Sequence, residues 1–546
     1  VSRGAAALVT LFHSQRHYFH PSNYGAWSTS LGTFTGWVCG YLAREVGAQA
    51  ARDEVAAGSG GGSCSAGTLV GGGGGGGRGG ASLRVDDVTV LVETLLPLAH
   101  EMLFSKHPRV SENGEASLKV LALISPRLTA PATLALVLRA VDPVAAVNYA
   151  HQTPVAIKAL ARVLRPLLFP RPHIAPHLPV LLEYTLPGID ANDLSKTFST
   201  VAFYVTLLGW LPVLGGSGGS GGGSGSSENA AFGRLGWVDA HAWPAGTDEA
   251  ERGDLYDALE GLGCGAMLDW AIAVLDRLFK VLESRGEAAK VPPSGIDAMN
   301  TAAALAGGGD AGGGGGFASM MGAAGGHMDL ALSYGIFALA RSLFFQMDAE
   351  ALRHACRHVA AWVAGGVHPH AAKSASLVLS QLGTVAPTEA AAALMPVLAG
   401  GGGLAAVSAR EAAWRLRLLA GLTSGAGPAL PLHAAALTAA LRTGLASDDR
   451  RVRKAACKLL RHALLALTAS RPAEYRSLPP SRWANVASPA EWRRVGEPLV
   501  QAPVTGGGGG AAALEIRWIE PSAATLRLAA QLLEEFVVGP AELLAS

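Results

Sequence analysis

The sequence predicts an all-α protein, a HEAT/armadillo-type α-solenoid interrupted by Gly-rich insertions, and three observations lead there. Apolar residues recur at helical spacing. Helical blocks recur about every 40 residues, the period of HEAT and armadillo arrays. Runs that alternate like a half-buried strand are scarce.

The blocks can be justified in order. Beyond Asp348, a candidate cap, Leu352, Cys356, Val359 and Val363 line up as one apolar stripe. Ser408 with Glu411 is a capping-box pattern, and Trp414, Leu418, Leu419 and Leu422 follow as the expected buried face. Ser447 and Asp448 precede a further stripe of Val452, Ala456, Leu459, Leu460, Leu464 and Leu467. Blocks are expected to start near Asp329, Pro369, Ser408 and Asp449, with second helices opening at Asp348, Thr388 and Leu430. The segment from Ser447 to Ala456 reads as a HEAT second helix. In that reading an acidic residue caps the helix, Val452 packs inward and an arginine lies along the turn. Prolines are expected at helix ends, as in Arg165-Pro166, Phe169-Pro170 and Leu186-Pro187-Gly188. A lone helix pair buries too little to offset its ordering entropy, so stacking on neighbours is required.

At 546 residues with 49% hydrophobic content, the chain exceeds one ordinary core. Its 70 glycines are roughly twice average usage. They gather in runs that cannot bury enough surface to order themselves, and flexible loops are expected there. The runs divide the chain into helical repeats at 1–57, 81–214, 231–306 and 327–470, separated by insertions at 58–80, 215–230 and 307–326. The remainder, 471–546, is expected to be a loop with a Gly insertion at 506–510 and a final helix. Gly215-Gly216-Ser217-Gly218-Gly219 matches G-x-S-x-G by composition alone, because no strand precedes it.

Lys+Arg 43 against Asp+Glu 42 leaves a net charge of +1, which excludes a nucleic-acid surface over the whole chain but not a local patch. The five cysteines, Cys39, Cys64, Cys264, Cys356 and Cys457, are far apart without a CxxC. A disulfide scaffold and a zinc ribbon are excluded, and a reducing compartment fits. The chain opens on Val1 without a basic-then-apolar leader and is read as an internal fragment. The uncharged stretch from Thr197 to Leu214 is read as a buried helix, not a membrane span. It holds several hydroxyls, Gly209 and Pro212, and no basic flank.

His13, His17 and His20 share a helical face and suggest either a metal site or aromatic and imidazole packing at a helix end. Without a local Asp, Glu or Cys, and with Pro21 closing the helix, packing is the preferred reading. A hydrolase built on these histidines is the enzymatic alternative. Replacing His17 and His20 with Ala would then abolish activity without unfolding. Neither HExxH nor GxxxxGK[ST] occurs. No catalytic residue, metal ligand or cofactor site is assigned. Asp86–Asp87 and Asp448–Asp449 are explained by helix starts, where the dipole favours acid. The strongest charged feature is Arg450, Arg451, Arg453, Lys454, Lys458, Arg461 and His462. Of these, Arg450, Lys454, Lys458 and Arg461 run down one side of a helix, either as a solvated face or as an anion site. Arg162, Arg165 and Arg171 form a weaker second cluster.

Several segments carry a family resemblance. Leu11-Phe12-His13-Ser14-Gln15-Arg16-His17-Tyr18-Phe19-His20-Pro21-Ser22-Asn23-Tyr24-Gly25-Ala26-Trp27 resembles the LFHS-x-R-x-YFHPSN-x-G-x-W segment of the giant HEAT-repeat proteasome activators. Leu186-Pro187-Gly188-Ile189-Asp190-Ala191-Asn192-Asp193-Leu194-Ser195-Lys196 is similar to their LPG[VI]D-x-ND-x-SK stretch. Asp276-Arg277-Leu278-Phe279 with Leu282-Glu283-Ser284 resembles DR-x-F-x-x-[LI]ES. Pro472-Ala473-Glu474-Tyr475-Arg476-Ser477-Leu478-Pro479 resembles P-x-EY-x-S-x-P, and Ile516-Arg517-Trp518 the IQW that follows.

The resemblance implies a helical dome that caps the 20S proteasome core. Such a dome promotes ATP- and ubiquitin-independent degradation of unfolded proteins and peptides, acetylated histones included, in nucleus and cytoplasm and in DNA repair. Neither nucleic acid nor membrane is an expected direct partner. Family members bind inositol polyphosphates at basic openings. No position here is matched to those ligands, so Arg450, Lys454, Lys458 and Arg461 are only a candidate face. The family's Tyr-containing C-terminal motif is absent from Glu542-Leu543-Leu544-Ala545-Ser546, and its bromodomain-like segment has no counterpart, so a piece of dome wall is expected. A karyopherin-like solenoid adaptor is the alternative.

Overall fold

The computed structural model describes residues 1–20, 23, 25–58, 84–141, 151–168, 174, 177–208, 213, 264–288, 328–347, 349–400, 404–472 and 518–545. They fall into two compact units, Val1–Ala175 and Pro176–Ser546. Among the described residues secondary structure is helical throughout, apart from one bridge at Val213 and one pair of two-residue strands.

The first unit comprises α1 (Arg3–Gln15), α2 (Ala26–Gly58), α3 (Val85–Leu103), α4 (Pro108–Ile124), α5 (Pro126–Val141) and α6 (Thr153–Leu168). Helices α2, α4 and α6 pack side by side as one layer, and α1, α3 and α5 form the second. This is the two-helix repeat read from the sequence. Asp87 does more than answer a helix dipole. Its carboxylate accepts the amide of Arg84 at the start of α3 and, at 2.5 Å, the amide of Ser2 at the start of α1. The bond from Ser2 is the main cause holding this carboxyl below its ordinary pKa.

Glu115 is buried on α4 and meets Lys158 at 2.7 Å and Arg162 at 3.4 Å on α6. Of the expected cluster of Arg162, Arg165 and Arg171, Arg162 is half-buried and paired with Glu115, while Arg171 and the side chain of Arg165 lie outside the described residues. Several prolines also depart from expectation, among them Pro166 inside α6 and Pro97 inside α3. Burial of Leu164 and Leu167 around the first, and of Leu95, Leu96 and Leu98 around the second, outweighs the lost backbone bond.

His100 of α3 lies 3.3 Å from the Thr133 hydroxyl of α5. Burial, with Arg139 nearby, lowers its pKa to about 4 from 6.5. A histidine with a depressed folded pKa binds fewer protons folded than unfolded between those values. Stability is therefore full above pH 6.5 and is lost as pH falls toward 4, by up to about 3 kcal/mol. The variant His100→Gln is expected to flatten this acid limb, as followed by hydrogen exchange of α3 and α5 across that pH range.

The second unit begins with α7 (Leu178–Thr185) and α8 (Leu194–Leu208). Between them the chain turns at Leu186–Gly188, where a Cβ on Gly188 would lie 2.1 Å from Thr200 Oγ1, so a larger residue would force the Thr200 side chain to move. The apolar stretch from Thr197 is a buried helix, with Phe203, Tyr204, Leu207 and Leu208 fully enclosed. Helix α8 ends at Leu208, and Val213 pairs with Met347.

There follow α9 (Cys264–Ala288), α10 (Met328–Phe345), α11 (Ala349–Gly365), α12 (Ala372–Val385), α13 (Pro387–Ala399), α14 (Ala409–Gly425), α15 (Ala434–Leu445) and α16 (Arg450–Thr468). Helices α10, α12, α14 and α16 pack successively as one layer, and α9, α11, α13 and α15 lie along the other. Block starts at Met328, Ala372, Ala409 and Arg450 lie close to the expected Asp329, Pro369, Ser408 and Asp449. The helix expected to open at Leu430 starts as α15 at Ala434, because a 3-10 segment occupies Gly427–His433. Asp348 lies outside the described residues. In α11, Cys356, Val359 and Val363 are buried as expected, and Leu352 is half-buried.

Neighbouring helices of one layer touch through small residues. A Cβ on Gly421 of α14 would meet Ser376 O of α12 at 2.2 Å, and one on Gly425 would meet Ser380 O at 2.1 Å. Ser424 donates to the Ser380 hydroxyl at 2.8 Å beside them. Ser408 caps α14 by accepting the amide of Glu411. The reciprocal half of the expected capping box is replaced by a pair in which Glu411 takes Arg415 at 2.6 Å.

Among the described residues one stretch, Pro387–Ala406, has the length and composition of a membrane span. The helix within it is 13 residues and ends at Ala399, about 20 Å of rise, short of the ~30 Å hydrocarbon core. After α16, β1 (Arg471–Pro472) pairs antiparallel with β2 (Trp518–Ile519). The final helical segment runs through α17 (Ala523–Leu533) and a π turn into α18 (Gly539–Ala545), and α17 packs on α16. Cys39 and Cys356 are free buried thiols, pushed up by burial to about 12, whereas Cys457 is exposed.

Candidate functional site

Helix α16 is built as its sequence pattern requires. Asp449 accepts the amides of Arg451 and Val452 at 2.6 and 3.3 Å, Val452 is buried, and Arg453 folds back to donate to the carbonyls of Ser447 and Asp448. The buried side is Val452, Ala455, Ala456, Leu459, Ala463 and Leu467. Leu460 and Leu464, expected in the core, are only half-buried because they flank that line instead of lying on it.

The opposite side carries Arg450, Lys454, Lys458 and Arg461, all exposed. Among the described residues none of the four makes an ion pair. Their surroundings come from two further helices. Lys458 is held below its ordinary pKa by partial burial and by Arg417 of α14 and Lys373 of α12. His462 is lowered by burial and then by Lys458 and Arg461. The structure thus joins to the four predicted residues two that the sequence reading missed, Lys373 and Arg417. The only signal for them was their position on the helices that open the two preceding blocks. Guanidinium and ammonium groups placed this way can hold an anion by charge-assisted hydrogen bonds.

The histidine set does not come together. Helix α1 ends at Gln15 and Arg16–Phe19 forms a 3-10 turn, which breaks the helical phase. His13, His17 and His20 are exposed, but His17 lies against Tyr18 with ring centroids 4.0 Å apart, Phe12 and Phe19 are buried and Phe12 stacks on Phe34, so the expected aromatic and imidazole packing is present in part. Among the described residues, no group of His, Cys, Asp and Glu is placed to hold a metal.

The remaining motif residues serve the fold where they are described. Asn23 donates to His17 O at 2.7 Å, while Leu11, Tyr18 and Trp27 are exposed, Trp27 at 78%. Pro187 and Gly188 form the turn before α8. Asp190 accepts the amide of Asn192, and Asp193 accepts that of Lys196 at the start of α8, next to Ser195. Pro21, Ser22, Glu474 and Tyr475 lie outside the described residues.

Asp276, Phe279 and Glu283 of α9 join a cluster that the sequence reading did not assemble. Phe279 stacks on Trp362 at 4.2 Å, and Trp362 Nε1 donates to Glu283 at 2.7 Å. His358 meets Asp276 at 2.8 Å, and Trp414 stands edge-on to Trp362 and His368. The motif thereby fastens α9 to α11 and α14.

Residues 79–227 and 407–544 match a family model described as proteasome activator complex subunit 4, mid HEAT repeats region. The match spans just over half of the chain. The chain belongs to this family. Its solenoid is a HEAT array, and the family is one of non-catalytic regulators. The Pro187–Lys196 motif falls in the first matched stretch, and α16 with the closing helices falls in the second. The LFHS segment lies ahead of both. No curated protein matches the chain. Among solved structures, the crystal structure of an engineered protein is 15% identical over 70% of this chain and 92% of its own, with a TM-score of 0.17.

Proposed function

We propose that this chain is part of the wall of a proteasome activator that caps the 20S core and promotes ATP- and ubiquitin-independent breakdown of peptides and unfolded proteins, acetylated histones among them. Membership of the activator family carries this reading. The two-layer repeats supply the physical means. A stack of helix pairs makes a stiff wall whose surfaces act by shape and charge, with no reacting group required. In this reading the protein works in nucleus and cytoplasm, DNA repair included, and uses no cofactor, and the exposed side of α16 is an anion site of the wall.

The test is co-migration of the full-length protein with purified 20S core, together with hydrolysis of a fluorogenic peptide without ATP. Co-migration with a rise in hydrolysis is expected. A chain that neither co-migrates nor alters hydrolysis overturns the reading.

A further inference from the structure

We infer that the layer formed by α12, α14 and α16 docks an extended acidic polypeptide segment, one with Asp or Glu at alternate positions. The inference rests on the reading of the α16 face as an anion site and names its ligand.

The first observation is the sorting of charge. Helices α12, α14 and α16 carry ten Lys and Arg against a single acid, Glu411, which is already paired with Arg415. In the opposite layer, α11, α13 and α15 carry three Arg and two Glu. The whole chain is near neutral at +1, so the stack concentrates positive charge on one of its sides. The second observation is that these cations share one field. Lys373, Arg417 and Lys458 come from three successive helices of the layer, and the first two disfavour the charge on the third. Like charges held together in this way are relieved by a bound polyanion.

Geometry then selects among polyanions. The step from Arg450 to Lys454 to Lys458 is one of four helical residues, a rise of about 6 Å. Alternate side chains of an extended peptide are about 6.5 Å apart, so carboxylates at every second residue match the row. From Arg450 to Lys458 the row runs about 12 Å along one exposed helix side, which suits a chain laid along it better than one compact polyphosphate. Trp414 is the only aromatic residue on the three helices and is 1% exposed, so nucleic-acid bases find no stacking platform.

The experiment is fluorescence anisotropy of the full chain with a labelled peptide of alternating Glu and Ser. The matched Gln and Ser peptide, inositol hexakisphosphate and a single-stranded oligonucleotide serve as separate arms. The acidic peptide is expected to bind, more weakly as salt rises, and the Gln peptide not to bind. Combining Lys454→Glu, Lys458→Glu and Arg461→Glu is expected to weaken binding about ten-fold or more, and the corresponding Gln variants less. All three positions are exposed, and circular dichroism checks that the fold is kept. Binding of inositol hexakisphosphate without the peptide sinks this inference and leaves the anion site standing. Binding of neither sinks both. Equal binding of the oligonucleotide at the same salt overturns the commitment to a polypeptide, as does peptide binding that the Glu variants leave unchanged.

Discussion

Replacing Gly421 with alanine is expected to destabilise the second unit by about 2–4 kcal/mol, and leucine there to abolish the packing of α14 on α12. The added Cβ would sit 2.2 Å from Ser376 O and 2.7 Å from Ser376 Cα. Both are backbone atoms of a helix that is itself held on its far side by α10, so they cannot swing aside as a side chain would. The helices must separate instead, and separation also strips Gly425 from Ser380 O and breaks the Ser424 to Ser380 hydroxyl bond. Residue-level hydrogen exchange is the measurement of choice, because a chain with two units has no single unfolding free energy. Protection should fall across α12 and α14 while the first unit keeps its own. Gly365 is the control, since a Cβ there meets nothing within 4 Å. Gly365→Ala should change stability by no more than about 0.5 kcal/mol. Unchanged protection in Gly421→Ala would mean that the two helices do not approach so closely.

Trp414 provides the second large effect. Its side chain is among the largest that are fully enclosed, and it closes the cluster of Trp362 and His368 with rings edge-on at 6.1 Å. Trp414→Ala is expected to cost about 3–5 kcal/mol. Trp414→Phe should cost only about 1 kcal/mol, because the buried indole Nε1 has no hydrogen-bond partner to lose. Trp362 is the informative contrast. Its indole donates to Glu283, so Trp362→Phe leaves a carboxylate without that donor and should cost more than the same change at 414. Equal losses for the two phenylalanine variants, followed by hydrogen exchange at α9 and α11, would contradict this account.

Helix α16 shows what can be read from a linear pattern. Its cap, its buried stripe and the arginine that folds back onto Ser447 and Asp448 all join residues within one or two turns. Local order in the chain is then spatial order. The width of the stripe was harder to read. Leu460 and Leu464 have the right hydropathy, but α14, α15 and α17 set how far around the helix burial extends. The histidine face failed for a related reason: α1 stops at Gln15, so the assumed helical phase does not continue to His17 and His20.

The amino-acid order alone determined the repeat period, the caps, the helical class and the cationic side of α16, because each depends on spacing along one helix. Tertiary structure alone decided that Asp87 joins the starts of α1 and α3, that Glu115 consumes Arg162, and that Lys373 and Arg417 approach Lys458. These pairings lie tens of residues apart. They follow from which helices become neighbours, and that choice is made by close-packed contacts such as Gly421 on Ser376, which no periodicity in the chain encodes.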